Sequence, residues 1–485
     1  MLVIAGLLLP FAVSYLSTSL LLNQTVRGPR FAVILLNCIL ALGLALGVSS
    51  CTFFLWLVIL GEPSQKFILT ESLLFASLAA ILLYFFIGNK SGKNSMHVPV
   101  PIPKSRTQGV LLICLLIALS TRFVRFMILS MNNPHGDVDA FATWNLRAHF
   151  LFADGPHWQE SFSYLLSLGP QPDYPLLLSA TVARLWSYLG EADPFVPSGV
   201  ALLFTFSIIG LVMASLTILR GRTQGFLAAL VLVGTPYLIK HGSSQYADVP
   251  LAFYILATLA LFSLQDGSEE NTSHTLTLAG TMAGFAAWTK NEGILFLPAL
   301  ILARLFVIVP KRGWERYLKE MLALSKGLLP VLAVLVYYKI QIAPGTTSAI
   351  SQGVSSILNK LQEMSGYLLV GEALGRKLFR IGHPGLVLLV IYLILLGRQK
   401  GMHKIGIATP VTVLSLILAG YVVMFITTPF GVEYMLATTL DRQWLHLWPS
   451  VVLMWFLMVN TPEEASQLQG PSDRTGMSLP QVHLA

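Results

Sequence analysis

Several ionisable residues lie at the edges of long apolar runs, where charge is costly. They are Asp137, Asp139, Asp248, Lys290, Glu292 and Arg442. A carboxylate within reach of a hydroxyl can accept its proton, and a Lys or Arg side chain in a site of low dielectric can stabilise an anion such as phosphate. Because ionisable residues in or beside a membrane bundle are usually functional, these residue types indicate proton transfer combined with anion binding.

Each of these residues also has a simpler interpretation. An Asp often caps the N-terminus of a helix, and Asp139 directly precedes a predicted helix that begins at Ala140. Lys290 and Arg442 could instead extend toward lipid headgroups, as long basic side chains commonly do at a membrane surface. The sequence alone leaves both interpretations open.

Metal and nucleotide sites receive little support from the motifs. The histidines nearest the two acids match no standard metal-ligand spacing, which favours a structural role for them: His135, His149 and His157. No glycine-rich nucleotide fingerprint is apparent. All three cysteines lie inside apolar runs, which supports neither a disulfide framework nor a zinc site. We therefore predict no metal and no cofactor, although a divalent cation stays possible.

The elements that position these residues must be membrane helices. Of the 485 residues, 55% are apolar and only 11% are charged, and the mean hydropathy is +0.71. Apolar runs such as 2–22, 31–60 and 405–428 are each long enough to span roughly 30 Å of hydrocarbon. A helix satisfies its own backbone hydrogen bonds in lipid, so the sequence predicts an all-α polytopic membrane protein whose first run is a retained anchor.

Basic residues predict the orientation of the helices. The net charge of +8 comes from short clusters between apolar runs, which is a topological pattern and not a nucleic-acid-binding face. Segments 27–30, 90–106, 220–222, 311–319 and 398–404 are predicted to be cytoplasmic. The result is about thirteen helices with the N-terminus outside and the C-terminus inside.

Four regions follow from this topology. Residues 1–107 form additional N-terminal helices, and residues 108–310 form a core that includes a large outer loop at 132–194. Residues 311–460 form C-terminal helices with outer loops at 343–383 and 429–444. Residues 461–485 form a polar, disordered cytoplasmic tail. Within the 132–194 loop, segments 139–153 and 174–189 have helix-compatible patterns that predict amphipathic helices at the membrane interface.

Four short motifs in order resemble a known group of membrane enzymes. An acidic pair precedes an aromatic and small-residue segment at Asp137, Asp139, Phe141, Ala142, Gly155 and Trp158. Three further motifs follow at 173–176 (Asp-Tyr-Pro-Leu), 247–250 (Ala-Asp-Val-Pro) and 289–293 (Thr-Lys-Asn-Glu-Gly). Together they resemble the GT-C superfamily over roughly residues 109–306, and look most similar to the protein O-mannosyltransferase and aminoarabinose-transferase branch.

The resemblance implies a glycosyltransferase that moves a hexosyl or pentosyl group from a polyprenyl-phosphate carrier. The acceptor is unknown, and the reaction takes place at the extracytoplasmic face of a membrane, which we expect to be a bacterial plasma membrane. Asp137 falls at the position of the catalytic Asp in that family, and Asp139 is the close second candidate. The candidate donor-phosphate and substrate-binding residues are Lys290, Glu292, Asp248, Arg442, Asp173, Tyr174 and Arg147; Arg442 lies outside the region of resemblance and is named because a charge at the edge of a membrane bundle is costly.

One position departs from the family pattern. Asp173 stands where the family often has the Lys of a Lys-Pro-Pro-Leu segment. The departure removes one expected phosphate ligand, so a cation from elsewhere is needed, with Arg147 or Arg184 as candidates. We also expect Asp137, Asp248, Lys290 and Glu292 to share one cavity.

Two other functional classes stay open at this point. A transporter or flippase would also be polytopic and could use Asp137 and Lys290 as coupling residues, but no internal repeat is obvious and the polar residues favour the outer edge. An inactive relative that binds lipid would have the same composition. Loss or retention of sugar transfer after substitution of the base separates an enzyme from both.

Overall fold

The computed structural model describes residues 2–22, 25–91, 106–163, 173–267, 273–343, 354–381, 383–399 and 404–468. Within these ranges the chain is helical, with one isolated bridge between Arg398 and Val459 and no longer strand pairing. The fold is therefore all-α, as predicted.

The first half of the chain contains four long helices, then short helical segments, then the helices of the core. The elements are α1 (Leu2–Leu22), α2 (Arg30–Leu60), α3 (Gln65–Ser91), α4 (Arg106–Asn132), a π-helical turn (Ala140–Asn145), α5 (Leu146–Ala153), a 3₁₀ segment (Gly155–Phe162), α6 (Leu177–Leu189), α7 (Phe195–Arg220), α8 (Arg222–Val233) and α9 (Pro236–Ser243).

The second half continues the bundle from its most buried helix. The elements are α10 (Asp248–Asp266), α11 (Ser273–Thr289), α12 (Asn291–Gln341), α13 (Val354–Gln362), α14 (Met364–Ile381), α15 (His383–Leu396), α16 (Lys404–Thr427), α17 (Val432–Met458) and α18 (Pro462–Leu468).

Seven of the described helices are long and apolar enough to cross a membrane: α2, α3, α4, α7, α10, α12 and α16. The count becomes eight if α8 and α9, which meet at a 61° bend, form one broken span. This supports an integral membrane protein. The predicted total of about thirteen spans is not confirmed and stays a prediction.

Helix α12 is a hairpin and not one straight rod. Gly313 has φ 79° and ψ 172°, which breaks the helix between two arms. The arms lie side by side, because Arg304 of the first arm forms an ion pair with Glu320 of the second. Both arms pack on α11, which closely approaches the second arm: a Cβ added at Gly327 would lie 1.9 Å from the Thr277 carbonyl oxygen. Small residues of this kind let membrane helices approach closely.

The 132–194 loop forms helices, but α6 differs from the amphipathic expectation for 174–189. Eleven of its 13 residues are buried, among them the charged Arg184. The helix is buried on nearly all sides because it packs against α1, α2 and α5. Residues 164–172 of the loop lie outside the described residues.

Three further segments contain helices that the sequence pattern did not predict. The described part of the 343–383 loop, residues 354–381, forms α13 and α14, and most of the 429–444 loop forms the start of α17. The first residues of the predicted disordered tail form α18, which Glu464 anchors to Arg220 at 2.9 Å. Helix α18 is therefore packed against the bundle, while residues 469–485 lie outside the described residues.

Candidate active site

Asp248 is the centre of a buried ionic cluster. It is the first residue of α10, where the helix dipole favours an acid, and it is fully buried. Its Oδ1 accepts hydrogen bonds from Lys290 Nζ at 2.8 Å and from His446 Nε2 at 2.6 Å. Its Oδ2 accepts one from Arg442 Nε at 2.9 Å. One partner from the link between α11 and α12 and two partners from α17 thus converge on one carboxylate.

Lys290 reaches this cluster because the chain is extended between α11 and α12. Its backbone has φ −156° and ψ 158°, which interrupts the apolar run as the sequence predicted. Its Nζ also contacts Glu292 Oε1 at 3.0 Å and lies 5.5 Å from the centre of the Tyr174 ring. Burial lowers the pKa of Lys290, but the carboxylates of Asp248 and Glu292 raise it by more, so the net pKa is above its ordinary value. The ammonium group therefore stays charged.

Arg442 links the buried cluster to a more exposed acid. Besides its bond to Asp248, its Nη1 donates to Asp139 Oδ2, and its guanidinium lies 4.7 Å from the centre of the Tyr246 ring. Burial, together with the nearby Asp139 and Asp137 carboxylates, raises the pKa of Tyr246 to about 12, so the phenol stays protonated. The side chain of Arg442 is 15% exposed and that of Asp139 is 40% exposed, which marks this pair as the accessible edge of the cluster.

The structure places the two sequence-predicted acids differently. Asp139 makes no capping hydrogen bond to the π-helical turn that follows it, and points instead to Arg442. Asp137 is exposed, and its Oδ1 accepts a hydrogen bond from the backbone N–H of Val138 at 2.9 Å. Asp139 therefore does not cap the helical segment that follows it. Of the two acids, Asp139 is the one that contacts the cluster.

Asp173 forms a second group beside the first. Lys339, at the end of the second arm of α12, donates to Asp173 Oδ2 at 2.7 Å and to its backbone oxygen at 2.6 Å. Lys339 also donates to Asn291 Oδ1 at 2.8 Å, and Asn291 Nδ2 donates to Asp173 Oδ2 at 3.0 Å. Since Asn291 follows Lys290 directly, the two groups are adjacent. A cation therefore does accompany Asp173, and it is Lys339.

The two arginines proposed to replace the missing lysine have other partners. Arg147 is buried and donates from Nη1 to the Tyr174 carbonyl oxygen at 3.2 Å, and burial lowers its pKa. Arg184 Nε lies 2.9 Å from both carboxylate oxygens of Glu71. Arg147 supports the backbone at Tyr174, whose ring stacks on Trp144, and Arg184 belongs to a separate buried ion pair.

Sequence reasoning did not assign a role to His446 or identify Lys339. His446 is fully buried in α17 and contacts the Tyr421 hydroxyl through Nδ1 at 3.0 Å. Its proximity to Arg442 in sequence, one helical turn away, was the available signal. Lys339 ends an apolar run, and an ionisable residue in such a position is itself a signal for a functional site.

The described side chains contain no group of three or more His, Cys, Asp or Glu residues that could hold a metal ion. The cluster instead combines cations with hydrogen-bond acceptors. Oε2 of Glu292 is buried and has no hydrogen-bond partner among the described residues. Arg442 donates to its two acids from Nε and Nη1. A ligand hydroxyl matches the unpaired Glu292 oxygen, and an anionic group on the same ligand matches the Arg442 guanidinium.

Part of the chain matches the model of a known protein family. The model of the dolichyl-phosphate-mannose-protein mannosyltransferase family matches residues 174–338, about a third of the chain. The matched part contains Asp248, Lys290 and Glu292 and ends one residue before Lys339. No curated protein and no solved structure matches the chain significantly. Together with the apolar helices, the family match supports a membrane glycosyltransferase that uses a lipid-linked sugar.

Proposed function

We propose that this protein transfers a sugar from a polyprenyl-phosphate carrier to an acceptor hydroxyl, with Asp139 as general base. The observation that carries the proposal is the Asp139–Arg442 pair, which forms the accessible edge of a cluster whose buried part contains Asp248 and Lys290. A base and a phosphate-binding cation then lie side by side, as the displacement of a lipid phosphate requires.

The reaction balances with the groups present. The acceptor oxygen attacks the anomeric carbon and forms the glycosidic bond while its proton passes to Asp139. The bond between the anomeric carbon and the phosphate oxygen breaks, and the phosphate leaves with the electron pair. Arg442 and Lys290 stabilise the charge on that leaving group, which is worth most in a site from which water is excluded. Asp248 holds both cations in place.

A small apolar void near the cluster is lined by α14, α16 and α17. Its volume is about 10 Å³, and its wall includes the ring of Tyr421. The Tyr421 hydroxyl contacts His446, which contacts Asp248, so the void lies two residues from the centre of the cluster. Its other lining residues are mostly aliphatic or aromatic: Leu374, Leu418, Val422, Phe425, Leu440, Gln443, Trp444 and Leu447. A void of this size holds about one water molecule, so a prenyl chain would enter only if these helices moved apart.

The position of the basic turns supports an extracytoplasmic active site. Lys290 immediately precedes the first arm of α12, whereas Lys311 and Arg312 lie at the turn that ends this arm. The separation of about 20 residues corresponds to roughly 30 Å of helix, enough to cross the hydrocarbon layer. Because Lys and Arg concentrate in cytoplasmic loops, the α12 turn would be cytoplasmic and the cluster would face the other side.

A matched pair of variants tests the proposal. The protein, reconstituted in proteoliposomes, is supplied with polyprenyl-phosphate mannose and a membrane extract as the acceptor source, and released polyprenyl phosphate is measured by mass spectrometry. Asp139→Asn keeps size but cannot accept the proton, so we expect kcat to fall about 10²–10⁴-fold with donor binding nearly unchanged. Asp137→Asn, the control, should change kcat by less than about threefold.

The outcomes separate the enzyme class from the choice of base. If Asp137→Asn is inactive and Asp139→Asn retains transfer, the base assignment is wrong but the class survives. If the single variants and the double variant all transfer sugar, the 132–194 loop does not supply the base. If wild-type protein releases no polyprenyl phosphate from mannosyl, other hexosyl or pentosyl donors, the proposed function itself fails.

A further inference from the structure

Gln245 adopts a backbone conformation that residues other than glycine rarely adopt. Its φ is +59°, and the other described residues with positive φ are all glycines. The residue is buried and lies in the turn between α9 and α10, three positions before Asp248. A left-handed conformation at a residue with a Cβ is unfavourable, so surrounding contacts must maintain it.

Three hydrogen bonds to the side-chain amide supply those contacts. Its Nε2 donates to the Pro134 carbonyl oxygen at 2.9 Å and to Ser198 Oγ at 2.8 Å. Its Oε1 accepts a hydrogen bond from Asn145 Nδ2 at 2.8 Å. The amide thus connects the turn before α10 to α7 and, through two of its three bonds, to the segment that carries Asp139.

The two bonds to that segment hold it on both sides of Asp139. Pro134 precedes Asp139 by five residues, and Asn145 is the last residue of the π-helical turn that follows it. The backbones also touch here, since the N–H of Asp137 donates to the Ser244 carbonyl oxygen at 3.2 Å. Gly136, with φ +75°, packs so closely that an added Cβ would lie 3.0 Å from the Gln245 amide carbon.

We propose that Gln245 is a positioning residue that holds Asp139 in register with Arg442 and Asp248. The inference rests on the proposed function, because it assigns Gln245 a role in aligning the proposed base. Gln245 touches neither the base nor the two cations directly. It fixes the separation between the turn that leads into Asp248 and the loop that carries Asp139, and Arg442 spans that separation with one hydrogen bond to each acid.

Three variants distinguish positioning from a purely structural role. Gln245→Gly relieves the backbone strain but removes all three side-chain bonds. Asn145→Ala removes the bond between Gln245 and the Asp139 segment, together with a 3.2 Å bond from Asn145 Nδ2 to the His135 carbonyl oxygen. Ser198→Ala, the control, removes the 2.8 Å bond between Gln245 and α7. We expect kcat to fall at least tenfold in the first two with donor KM unchanged, and to stay within twofold in Ser198→Ala. The Gln245→Gly, Asn145→Ala double variant should lose less kcat than the product of the two single losses, since both variants remove the same Gln245–Asn145 bond.

A second measurement does not depend on activity. Hydrogen exchange of peptide 133–145 should become faster in Gln245→Gly and Asn145→Ala and stay unchanged in Ser198→Ala. The inference is overturned if Gln245→Gly keeps both wild-type kcat and wild-type exchange, or if all three variants lose kcat in proportion to their melting temperatures. If wild-type protein transfers no sugar yet exchange changes as expected, the anchoring by Gln245 stands and the proposed function has failed.

Discussion

Replacing Asp248 with Asn should destabilise the protein more than any change at the exposed edge of the same cluster. The carboxylate accepts hydrogen bonds from Lys290, Arg442 and His446 and is fully buried. An amide keeps one oxygen but presents an NH₂ group to cationic donors. Asp248→Asn therefore removes the carboxylate that the two cations share and leaves Lys290 with Glu292 and Arg442 with Asp139 as their remaining acidic partners.

The structure sets the size of the effect. Removal of one partner from a buried ion pair costs about 3–5 kcal/mol. The side chain of Asp139 is 40% exposed, and exposed ion pairs contribute only about 0–1 kcal/mol. Asp248→Asn should therefore lower the free energy of unfolding by at least about 2 kcal/mol more than Asp139→Asn. The double variant Asp248→Leu, Lys290→Met removes opposite charges together and should recover part of the loss, although it cannot transfer sugar.

Denaturant unfolding of the detergent-solubilised protein, followed by tryptophan fluorescence, measures these differences. Asp139→Asn is the matched control, because it changes the same functional group on the other acid that binds Arg442. Equal losses in Asp248→Asn and Asp139→Asn would refute the reasoning, because burial would then not determine the cost. Failure of the double variant to recover any stability would show that the loss does not come from uncompensated charge.

Two further variants probe the neighbouring polar groups. Lys339→Met should lower kcat/KM for the donor about 10- to 100-fold in the transfer assay, because hydrogen bonds of a charged group to Asp173 and Asn291 are worth about 1.5–3 kcal/mol. A variant with wild-type kcat/KM would exclude a role of Lys339 at the site. Glu71→Gln should lower the free energy of unfolding by about 3–5 kcal/mol, because it leaves the buried Arg184 without its acidic partner. At temperatures below its melting temperature, the variant should keep kcat within about twofold of the wild-type value. A large loss of kcat in folded protein would place this pair in the active site.

The membrane character of the fold could be predicted because composition and run length decide it. The break at Lys290 could also be predicted, since a polar group inside an apolar run cannot continue into lipid at low cost. The burial of α6 could not, because its aromatic and charged residues resemble those of an interfacial helix. Arg184 is compatible with burial only because Glu71, more than one hundred residues earlier in the chain, neutralises it.

Some features of the candidate site could likewise be predicted from the sequence and others could not. Lys290, Glu292, Asp248 and Arg442 were each predicted, and the structure brings all four into contact. The spacing of Asp137 and Asp139 could not predict which of them contacts the cluster, because residues two apart in a helical segment face different directions. Partners that are distant in sequence, such as Lys339 for Asp173, depend on which helix ends meet, and the α12 hairpin that brings them together depends on a single glycine.

The length of helix α10 predicts how deep in the membrane the candidate site lies. All 19 of its residues are buried, and it begins at Asp248 and ends at Asp266. At 1.5 Å per residue it is about 28 Å long, close to the hydrocarbon thickness of roughly 30 Å. A carboxylate is costly inside that layer, so the two acids belong at its two edges, and each is paired there, Asp248 with Lys290 and Arg442 and Asp266 with Arg304. This length predicts headgroup depth for the cluster around Asp248, and under the proposed function a lipid-linked phosphate would reach Lys290 and Arg442 there while its prenyl chain stays in hydrocarbon.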